Sequence, residues 1–350
     1  MRVLLAIALV GVLAGCGATT HASAKPRKRP PTTPAGPFAR PLSAPHLAPG
    51  SDPSVLPGDI LIADRSNNRL LVVDPQGRIV WQFGNARTLP IPDDAFFSPD
   101  GSEIVATEED ANAISVVDIA KRRIVYRVAN GLSHPDDAMM LPDGRIVSAD
   151  IKNCRLIELR PPSRTPAVAL GSAALGCYHA PPQAWGSPNG AFPRAGGGWI
   201  VTEINGDWVD ALSLSGHVVW ETHPPGIYYP SDTNEVHPGL YLTVAYQSPG
   251  VLEEFTRSGR LVWRYAPRAG DPPLDHPSLA LPLPNGDVLL NDDFNDRVIV
   301  IDPRSNRIVW QYGHTGDPGR APGYLSRPDG VDLAPPHSLL AGPHVKMSLR

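Results

Sequence analysis

The sequence predicts an all-β protein, a six-bladed β-propeller whose C-terminal strand completes the first blade. Three observations support this fold. A unit of three short β-branched runs occurs in clear form at residues 58–84 and again at residues 285–313. A Pro that precedes an apolar run recurs at intervals of 42 to 53 residues, which suits four-stranded blades. The last of these prolines has no further strands after it, whereas the first unit lacks a strand before it.

Composition agrees with a strand-rich domain and disfavours several functions. Hydrophobic residues make up 42% of the 350 residues, and 41 Pro and 32 Gly leave little room for long helices. The net charge is -4 with both signs scattered along the chain, so we expect no nucleic-acid partner. A Gly-x-Ser-x-Gly elbow, a His-Glu-x-x-His zinc motif and a phosphate-cradling loop are all absent from the sequence.

Residues 1–15 predict a lipoprotein signal peptide. A short apolar run ends in Leu-Ala-Gly immediately before Cys16. This ending resembles the lipobox of bacterial lipoproteins, which implies that Cys16 is lipidated and anchors the protein to the outer side of a bacterial membrane. An ordinary secretory signal with a chance Cys is the alternative.

The rest of the chain divides by composition. Residues 16–57 are rich in Pro and Ala without apolar periodicity, which predicts a disordered tether. Their basic patch at residues 25–29 could contact anionic lipids or wall polymers, and a plain solubilising linker is the alternative. The propeller is expected at residues 58–336, followed by a C-terminal tail at residues 337–350.

Repeated signals mark each blade. First strands are expected to begin at the marker prolines, which are Pro92, Pro135, Pro188, Pro230, Pro277 and Pro328. Asp-Gly or Asn-Gly pairs after several of them indicate tight hairpins. Five units carry an aromatic ring at one position of the outermost strand, as at Trp81 and Trp310. A ring at a fixed strand position predicts packing between neighbouring blades, and an aromatic binding stripe is the alternative.

Several motifs resemble known propeller families. The segments around Pro135 and Pro328 resemble the Pro-x-Gly-Val strand of NHL-type six-bladed propellers, and ADRSNNRL at residues 63–70 resembles that family's Ala-Asp-x-x-Asn-x-Arg-Ile segment. The Val-Val-Trp strands resemble the PQQ-like repeats of quinoprotein-like propellers and of arylsulfotransferases, although the latter's histidine-centred motif is not found. The resemblance covers residues 58 to about 336 and implies the fold, which hosts lyases, lactonases, quinoproteins and binding modules.

Polar residues are expected at one mouth of the central channel, where the loops entering first strands meet those between second and third strands. The candidate ligand contacts are Asp93, Asp94, His134, Asp136, Asp137, His179, Asn189, Tyr229, Asp232, His276 and Asp329. The oxygen ligands for a divalent cation would come from Asp94, Asp137, Asn189, Asp232 and Asp329. Such an ion could anchor a hydrolytic water, an arrangement that resembles gluconolactonase-like propellers. Capping of strand starts and binding of channel water are the alternative, so no cofactor is predicted firmly.

Two further features are expected at this mouth. His134 and His276 precede marker prolines at equivalent positions, and with His179 they could form a transition-metal or acid–base cluster. Repeat equivalence explains the first two histidines as well. The acidic loop at residues 292–296 is also expected there.

Cys154 and Cys177 predict a disulfide, because they remain as a pair once Cys16 is lipidated in an exported protein. Two buried thiols are the alternative. The disulfide would hold residues 172–187, which include Tyr178, His179 and Trp185, over the mouth as a ligand-contacting lid.

The sequence favours a lipid-anchored, extracytoplasmic binding or scaffold module for an envelope protein, peptide or glycan. Two enzymatic alternatives stay open because the fold does not decide function. One is a metal-assisted lactonase or lyase at the channel mouth. The other is a quinoprotein-like oxidoreductase.

Overall fold

A computed structural model describes residues 41–171, 177–179 and 185–340. The described residues form 24 strands in six four-stranded antiparallel sheets, each of which is one blade of a propeller, as predicted. The same residues contain no helix with the length and apolarity that a membrane span requires. The signal peptide, Cys16 and residues 16–40 of the tether lie outside the described residues, so lipidation stays a prediction.

The strands follow the chain in order. The first twelve are β1 (Ile60–Asp64), β2 (Arg69–Val73), β3 (Ile79–Phe83), β4 (Ala95–Phe97), β5 (Glu103–Glu108), β6 (Ala113–Asp118), β7 (Arg123–Val128), β8 (Pro135–Met140), β9 (Ile146–Asp150), β10 (Arg155–Leu159), β11 (Ala167–Gly171) and β12 (Pro188–Pro193). The others are β13 (Trp199–Glu203), β14 (Trp208–Leu212), β15 (Val218–Thr222), β16 (Pro230–His237), β17 (Leu240–Ala245), β18 (Val251–Thr256), β19 (Leu261–Arg264), β20 (Ala280–Pro282), β21 (Val288–Asp292), β22 (Arg297–Asp302), β23 (Arg307–Gly313) and β24 (Pro328–Leu333). Blade 1 consists of β24, β1, β2 and β3, and blades 2 to 6 take the next four strands each.

The C-terminal strand closes the ring. β24 pairs antiparallel with β1, with Leu333 opposite Ile60 and Gly330 opposite Ala63. The predicted completion of blade 1 by the end of the chain is therefore confirmed. Closure joins the two ends of the propeller through main-chain hydrogen bonds and leaves no gap between the first and last blades.

The core lies between neighbouring blades. Apolar residues of each pair of adjacent sheets form one buried cluster, so six clusters follow one another around the ring. The outermost-strand rings pack here. Trp81 is buried and its Nε1 donates to Ile119 O of blade 2 at 3.1 Å, while Trp310 Nε1 donates to Pro75 O of blade 1 at 2.9 Å. These two rings therefore pack between blades, as the sequence predicts.

A buried ion pair holds the loop between second and third strands in several blades. In blade 1, Asp64 Oδ2 accepts from Arg69 Nε at 2.6 Å and from Asn67 Nδ2 at 2.9 Å, and Asp64 Oδ1 accepts from Ser326 N at 2.8 Å. The carboxylate thus joins both ends of the loop to the segment that enters the first strand. The equivalent pairs are Asp150 with Arg155 and Asp292 with Arg297. The Asp-x-x-Asn-x-Arg motif therefore stabilises the loop between second and third strands.

A second contact joins each of these loops to the next blade. Asn112 ends the loop of blade 2 with a positive φ of 51°, and its Oδ1 accepts from His134 N at 2.8 Å. In blade 3 the equivalent residue is Cys154, which forms a disulfide with Cys177 at a Cα–Cα distance of 5.6 Å. The predicted disulfide is present, and it replaces a hydrogen bond between blades.

Residues 41–57 do not form the disordered tether that we expected there. Leu42 N donates to Ile79 O at 2.6 Å and Asp52 N donates to Val309 O at 2.8 Å, so the segment runs along the outer strands of blades 1 and 6. Val55 is buried in the core between these blades. The composition of residues 41–57 does not reveal this packing, because the strand edges that they contact, β3 and β23, lie elsewhere in the sequence. Residues 337–340 of the expected tail also pack, since Ser338 Oγ donates to Gly101 O.

Arg297→Met tests the buried ion pair. Arg297 Nε and Nη2 lie 2.8 and 2.7 Å from Asp292 Oδ2. Removing the guanidinium leaves a buried carboxylate without its partner, so we expect the free energy of unfolding in urea to fall by about 3–5 kcal/mol. Lys121→Ala, which breaks an exposed pair with Asp118, is the control and should change stability little. Equal effects of the two substitutions would contradict a structural role for the buried pair.

Candidate functional site

A left-handed turn before several marker prolines directs the next residues into the channel. His134 and Tyr229 have φ values of 54° and 57°, a region that non-Gly residues occupy only when other contacts stabilise it. Their N–H groups donate to Asn112 Oδ1 at 2.8 Å and to Asp207 Oδ1 at 2.7 Å, each from the loop of the preceding blade. The preceding blade therefore sets where each first strand enters the channel.

Asp94, Asp137 and Asp232 form an inner acidic cluster. One carboxylate oxygen of each lies within 4.8 Å of the others, and all three residues are at most 4% exposed. Gly190 makes room for them, because a Cβ at that position would lie only 2.6 Å from Asp137 Oδ2 and would also collide with Asp232. Blade 4 thus contributes space where blades 2, 3 and 5 contribute carboxylates.

The inner cluster has acceptor atoms without partners. Oδ1 of Asp94, of Asp137 and of Asp232 is buried and accepts no hydrogen bond from an N–H or hydroxyl group of the protein. Burial raises the pKa of Asp137 to about 7, although hydrogen bonds with Asp232 and the Ala191 N–H counteract it. Burial, followed by repulsion from neighbouring carboxylates, also raises the pKa of Asp94 and of Asp232 well above the usual range. Carboxylates in this arrangement must hold protons or bind a cation.

A second acidic cluster shares Asp94 with the first and adds Asp93 and Asp136. Burial and repulsion from neighbouring carboxylates raise the pKa of Asp93 and of Asp136 well above the usual range, although a hydrogen bond with Asp94 opposes the shift of Asp136. Asn189 lies in the same channel wall, and its Nδ2 donates to Ser231 O at 3.2 Å. Five of the expected mouth residues therefore meet in two overlapping clusters.

Arg65, which no sequence pattern singled out, neutralises part of this charge. Its Nη1 binds Asp93 and Asp329, and its Nη2 lies 3.1 Å from Asp110 Oδ2. Burial opposes ionisation of Asp329, yet Arg65 and hydrogen bonds from neighbouring carboxyls hold its pKa below the usual range. Burial and the charge of the neighbouring Asp329 raise the pKa of Asp293 well above the usual range. Both Arg65 and Asp293 directly follow a second strand, and alignment of the repeats at that position could have identified them.

Aromatic rings form one side of the mouth. The ring of Tyr246 lies 5.8 Å from that of Tyr229 and 5.0 Å from that of His276, and the ring of Phe294 lies 4.3 Å from that of His276. The guanidinium of Arg327 stacks over Phe294 at 4.5 Å. This group, Tyr229, Tyr246, His276 and Phe294, is called the aromatic rim below.

The three candidate histidines lie in different surroundings. His134 Nε2 lies 2.6 Å from Lys152 Nζ, and His276 Nδ1 lies 2.6 Å from Asp275 Oδ1. His179, which we expected at the mouth, lies instead against blade 4. The expected cluster of all three histidines is therefore not formed. His179 lies in the insertion between β11 and β12, so its location does not follow from the repeat positions of His134 and His276.

The clusters lie next to an open cavity of about 420 Å³. The lining residues are Arg65, Ser66, Asn68, Ile91, Asp110, Tyr246, Asp293, Arg327 and Asp329. Of the expected contacts, Asp329 lines this cavity, Tyr229 and His276 belong to the aromatic rim, and His179 lies against blade 4. Of the acidic loop at residues 292–296, only Asp293 faces it, since Asp292 binds Arg297 and Asp296 Oδ1 accepts from Arg327 N.

The expected lid is described only in part, because residues 172–176 and 180–184 lie outside the described residues. Trp185 is 2% exposed and belongs to the core between blades 3 and 4, so it is not placed to contact a ligand. Tyr178 is exposed. The prediction that Trp185 contacts a ligand is wrong. An aromatic residue within an insertion can fill the space between blades instead of facing a ligand.

The fold and its mouth define a six-bladed β-propeller with a buried acidic channel entrance. No family model matches this chain, and no curated protein matches it. A chain of a nidogen–laminin complex is similar with a TM-score of 0.57 and 12% identity, over 78% of this chain and 97% of that chain. A streptogramin B lyase is similar with a TM-score of 0.53 and 17% identity, over 77% and 84% of the two chains. A hydrazine synthase chain from Kuenenia stuttgartiensis has a TM-score of 0.50 and 15% identity, over 80% of each chain.

At these identities the likeness shows the fold alone. The NHL-type and quinoprotein-like resemblances therefore stay predictions. The cavity at the mouth has Tyr246 as its aromatic lining residue, rather than the stacked Trp that a quinone cofactor would favour.

The acidic channel predicts a particular pH dependence in cation-free buffer. The pKa of Asp137 rises from 3.8 to about 7 on folding, so the folded state binds more protons than the unfolded state between these values. We therefore expect the unfolding midpoint of chelator-treated protein to fall as the pH rises from about 4 to 7. Ca²⁺ at pH 8 should restore it, because the ion replaces the lost protons.

Two variants separate the channel from other buried carboxyls. Asp137→Asn should weaken both the pH dependence and the response to Ca²⁺. Asp332→Asn is the control, since burial between blades 1 and 2 also raises the pKa of Asp332 to about 7, away from the clusters. It should reduce the pH dependence and keep the Ca²⁺ response. A wild-type midpoint that is equal at pH 5 and pH 8 and insensitive to Ca²⁺, Mg²⁺ and Mn²⁺ would contradict the expected charge state.

Proposed function

We propose that this protein is an extracytoplasmic binding module, anchored by a lipid on Cys16, that takes a protein, peptide or glycan partner at the channel mouth. The observation that carries the proposal is the cavity of about 420 Å³, in which charged groups of both signs lie beside Tyr246. Cavities of this size with a few convergent polar groups are typical ligand sites.

The chemistry of the mouth suits a polar partner with flat or cationic groups. Arg65 and Arg327 offer N–H donors, and the side chains of Asp110 and Asp293 offer oxygen acceptors. The aromatic rim gives ring faces against which a sugar ring or a cationic side chain can stack. Because the acidic clusters lie just below, a cationic group of the partner would gain further attraction.

A divalent cation is part of the proposal. The inner cluster offers only oxygen donors, three of them without a hydrogen-bond partner, which is the donor set that Ca²⁺ and Mg²⁺ prefer. Such an ion would neutralise Asp94, Asp137 and Asp232 and stabilise the channel wall beneath the cavity.

Two features support the proposed location. The disulfide between Cys154 and Cys177 is typical of an oxidising compartment. The lipobox-like residues before Cys16 predict attachment to a membrane, and residues 16–40 would separate the propeller from it. The anchor would orient the partner near the envelope surface.

Arrays of defined glycans and peptides, probed with the detergent-solubilised full-length protein, test the binding role. Tyr246→Ala and Asp293→Asn should weaken binding of any bound probe at least about tenfold, because each removes a group that lines the cavity. Leu214→Ala is the matched control, since this exposed side chain lies in the β14–β15 turn at the opposite end of the propeller. The proposal would be contradicted if the control and the mouth variants changed binding equally. It would also be contradicted if the protein bound none of the probes.

A metal-assisted lactonase or lyase is the second candidate. The observation that favours it is the pair of overlapping carboxylate clusters, which could hold an ion that activates water or polarises a carbonyl. Tyr229 and His134 lie in the loops that enter this region and offer groups for proton transfer.

A panel of lactones with added Mg²⁺, Ca²⁺ or Mn²⁺ distinguishes the two candidates. An enzyme should turn over at least one lactone, lose the activity on chelation and lose roughly a hundredfold in rate in Asp94→Asn. Asp332→Asn is again the control and should keep full activity. Turnover that survives chelation or is unchanged in Asp94→Asn would contradict the metal-assisted mechanism.

A further inference from the structure

Blade 4 buries a group of acidic residues around His179, outside the channel. Glu203 ends β13, Asp210 lies in β14 and Glu221 lies in β15. His179 Nδ1 lies 2.9 Å from Glu203 Oε1 and 3.7 Å from Asp210 Oδ2, and its Nε2 lies 3.4 Å from Glu221 Oε2. Glu203 and Asp210 are completely buried. Trp208 stacks on the imidazole with ring centroids 4.2 Å apart.

Blades 1, 3 and 6 neutralise the carboxylate at the position of Glu203 with an Arg that lies opposite it in register. In blade 1 this carboxylate is Asp64, and its partner opposite in register is Arg69. In blade 4 the residue opposite Glu203 is Trp208, which carries no charge. Blades 3 and 6 have the same pairing as blade 1, Asp150 with Arg155 and Asp292 with Arg297.

Blade 4 also has an acidic residue at a second position where another blade has an Arg. In blade 5, Glu253 of β18 is opposite Arg264 of β19, and Arg264 Nε donates to Glu253 Oε2 at 2.9 Å. Asp210 occupies the position of Glu253, but the residue opposite it is Glu221. In blade 2 the residue at the position of Arg264 is Arg127, and it lies 2.8 Å from Glu108, which occupies the position of Glu203. Blade 4 therefore lacks the Arg at both positions where other blades have one.

Several acceptor atoms of this group have no hydrogen-bond partner. They are both carboxylate oxygens of Asp210, Oε2 of Glu203 and Oε2 of Glu221. Within the described part of the chain, the basic side chain that lies against these three acids is the imidazole of His179. Burial, followed by interaction with the neighbouring carboxyls of Glu203 and Glu221, raises the pKa of Asp210. Buried carboxylates without a counter-charge are costly, so these acids must hold a proton or bind a cation.

We propose that blade 4 binds a divalent transition-metal ion, with Zn²⁺ as the first candidate, through His179 Nδ1, Glu203 and Asp210. The three ligand atoms lie within 4.8 Å of one another, close enough for one ion. An imidazole nitrogen with two carboxylates suits first-row transition metals, in contrast to the oxygen-only channel. Glu221 Oε2 lies 3.4 Å from the other ring nitrogen, where a carboxylate can orient a ligating His and favour one tautomer.

The ion would attach residues 177–179 to blade 4. Cys177, two residues before His179, is already bonded to Cys154 of blade 3. The metal and the disulfide together would hold this segment against two neighbouring blades, and the metal's contribution to stability would depend on its concentration. The site shares no residue with the channel clusters, so it does not rest on the proposed binding role.

Metal binding by the full-length protein, after removal of bound ions with a chelator and dialysis, tests this proposal. Titration calorimetry with Zn²⁺ should detect one site whose affinity falls more than about 100-fold in Asp210→Asn and about 10–100-fold in Glu221→Gln. Saturating Zn²⁺ should raise the Tm of the wild type by roughly 5 °C. Co²⁺ should give visible absorption bands of a nitrogen- and oxygen-ligated ion and quench the fluorescence of Trp208, a signal that Trp208→Phe removes.

Matched controls make the outcome decisive. Glu253→Gln changes the equivalent carboxylate of blade 5, and Asp94→Asn changes the channel, so both should keep the Zn²⁺ site. His179→Gln tests the nitrogen ligand while keeping all three acids, which matters if Asp210→Asn does not fold. A wild type that binds neither Zn²⁺ nor Co²⁺ would overturn the proposal. Binding that is unchanged in both Asp210→Asn and His179→Gln would also overturn it.

Discussion

Electrostatic repulsion in the central channel is the constraint on which the mouth of this propeller depends. Six first strands converge on one axis, and most of them carry a polar residue just after the marker proline. Convergence brings carboxylate oxygens of Asp94, Asp137 and Asp232 within 4.8 Å of one another, and all three residues are almost fully buried. Since Arg65 neutralises only the side of the channel around Asp93 and Asp329, the inner carboxyls must hold protons or share a cation.

One short loop combines structural and ligand-facing residues. The last residue of the second strand, as in Asp64 or Asp292, is buried with an Arg and joins the loop to the entering segment. The next residue faces the mouth, as in Arg65 or Asp293. Because the first role uses the same hydrogen bonds in several blades, the second can vary without loss of the fold. Variation at this position sets the charge and shape of the cavity.

Blade 4 differs from the other blades in its buried charges and in its link to the preceding blade. Trp208 and Glu221 stand where other blades place an Arg, and a disulfide replaces the usual hydrogen bond from blade 3. The carboxylates of Glu203 and Asp210 are therefore buried against the imidazole of His179 rather than against an Arg. The propeller thus has two acidic regions of different donor chemistry, oxygen-only at the channel and nitrogen with oxygen in blade 4, and they would select different ions.

The sequence by itself determined the six blades, the closing strand, the cysteine pair and the polar residues after the marker prolines. These features depend on local patterns of turn residues, strand alternation and cysteine count. It misplaced the end of the tether, His179 and Trp185, because their packing partners lie elsewhere in the chain. Only the tertiary structure decided that Arg65 binds Asp93 and Asp329, 28 and 264 positions away, and that blade 4 lacks its counter-charges. Distances between residues so far apart in sequence follow from the curvature of the ring, which no local pattern encodes.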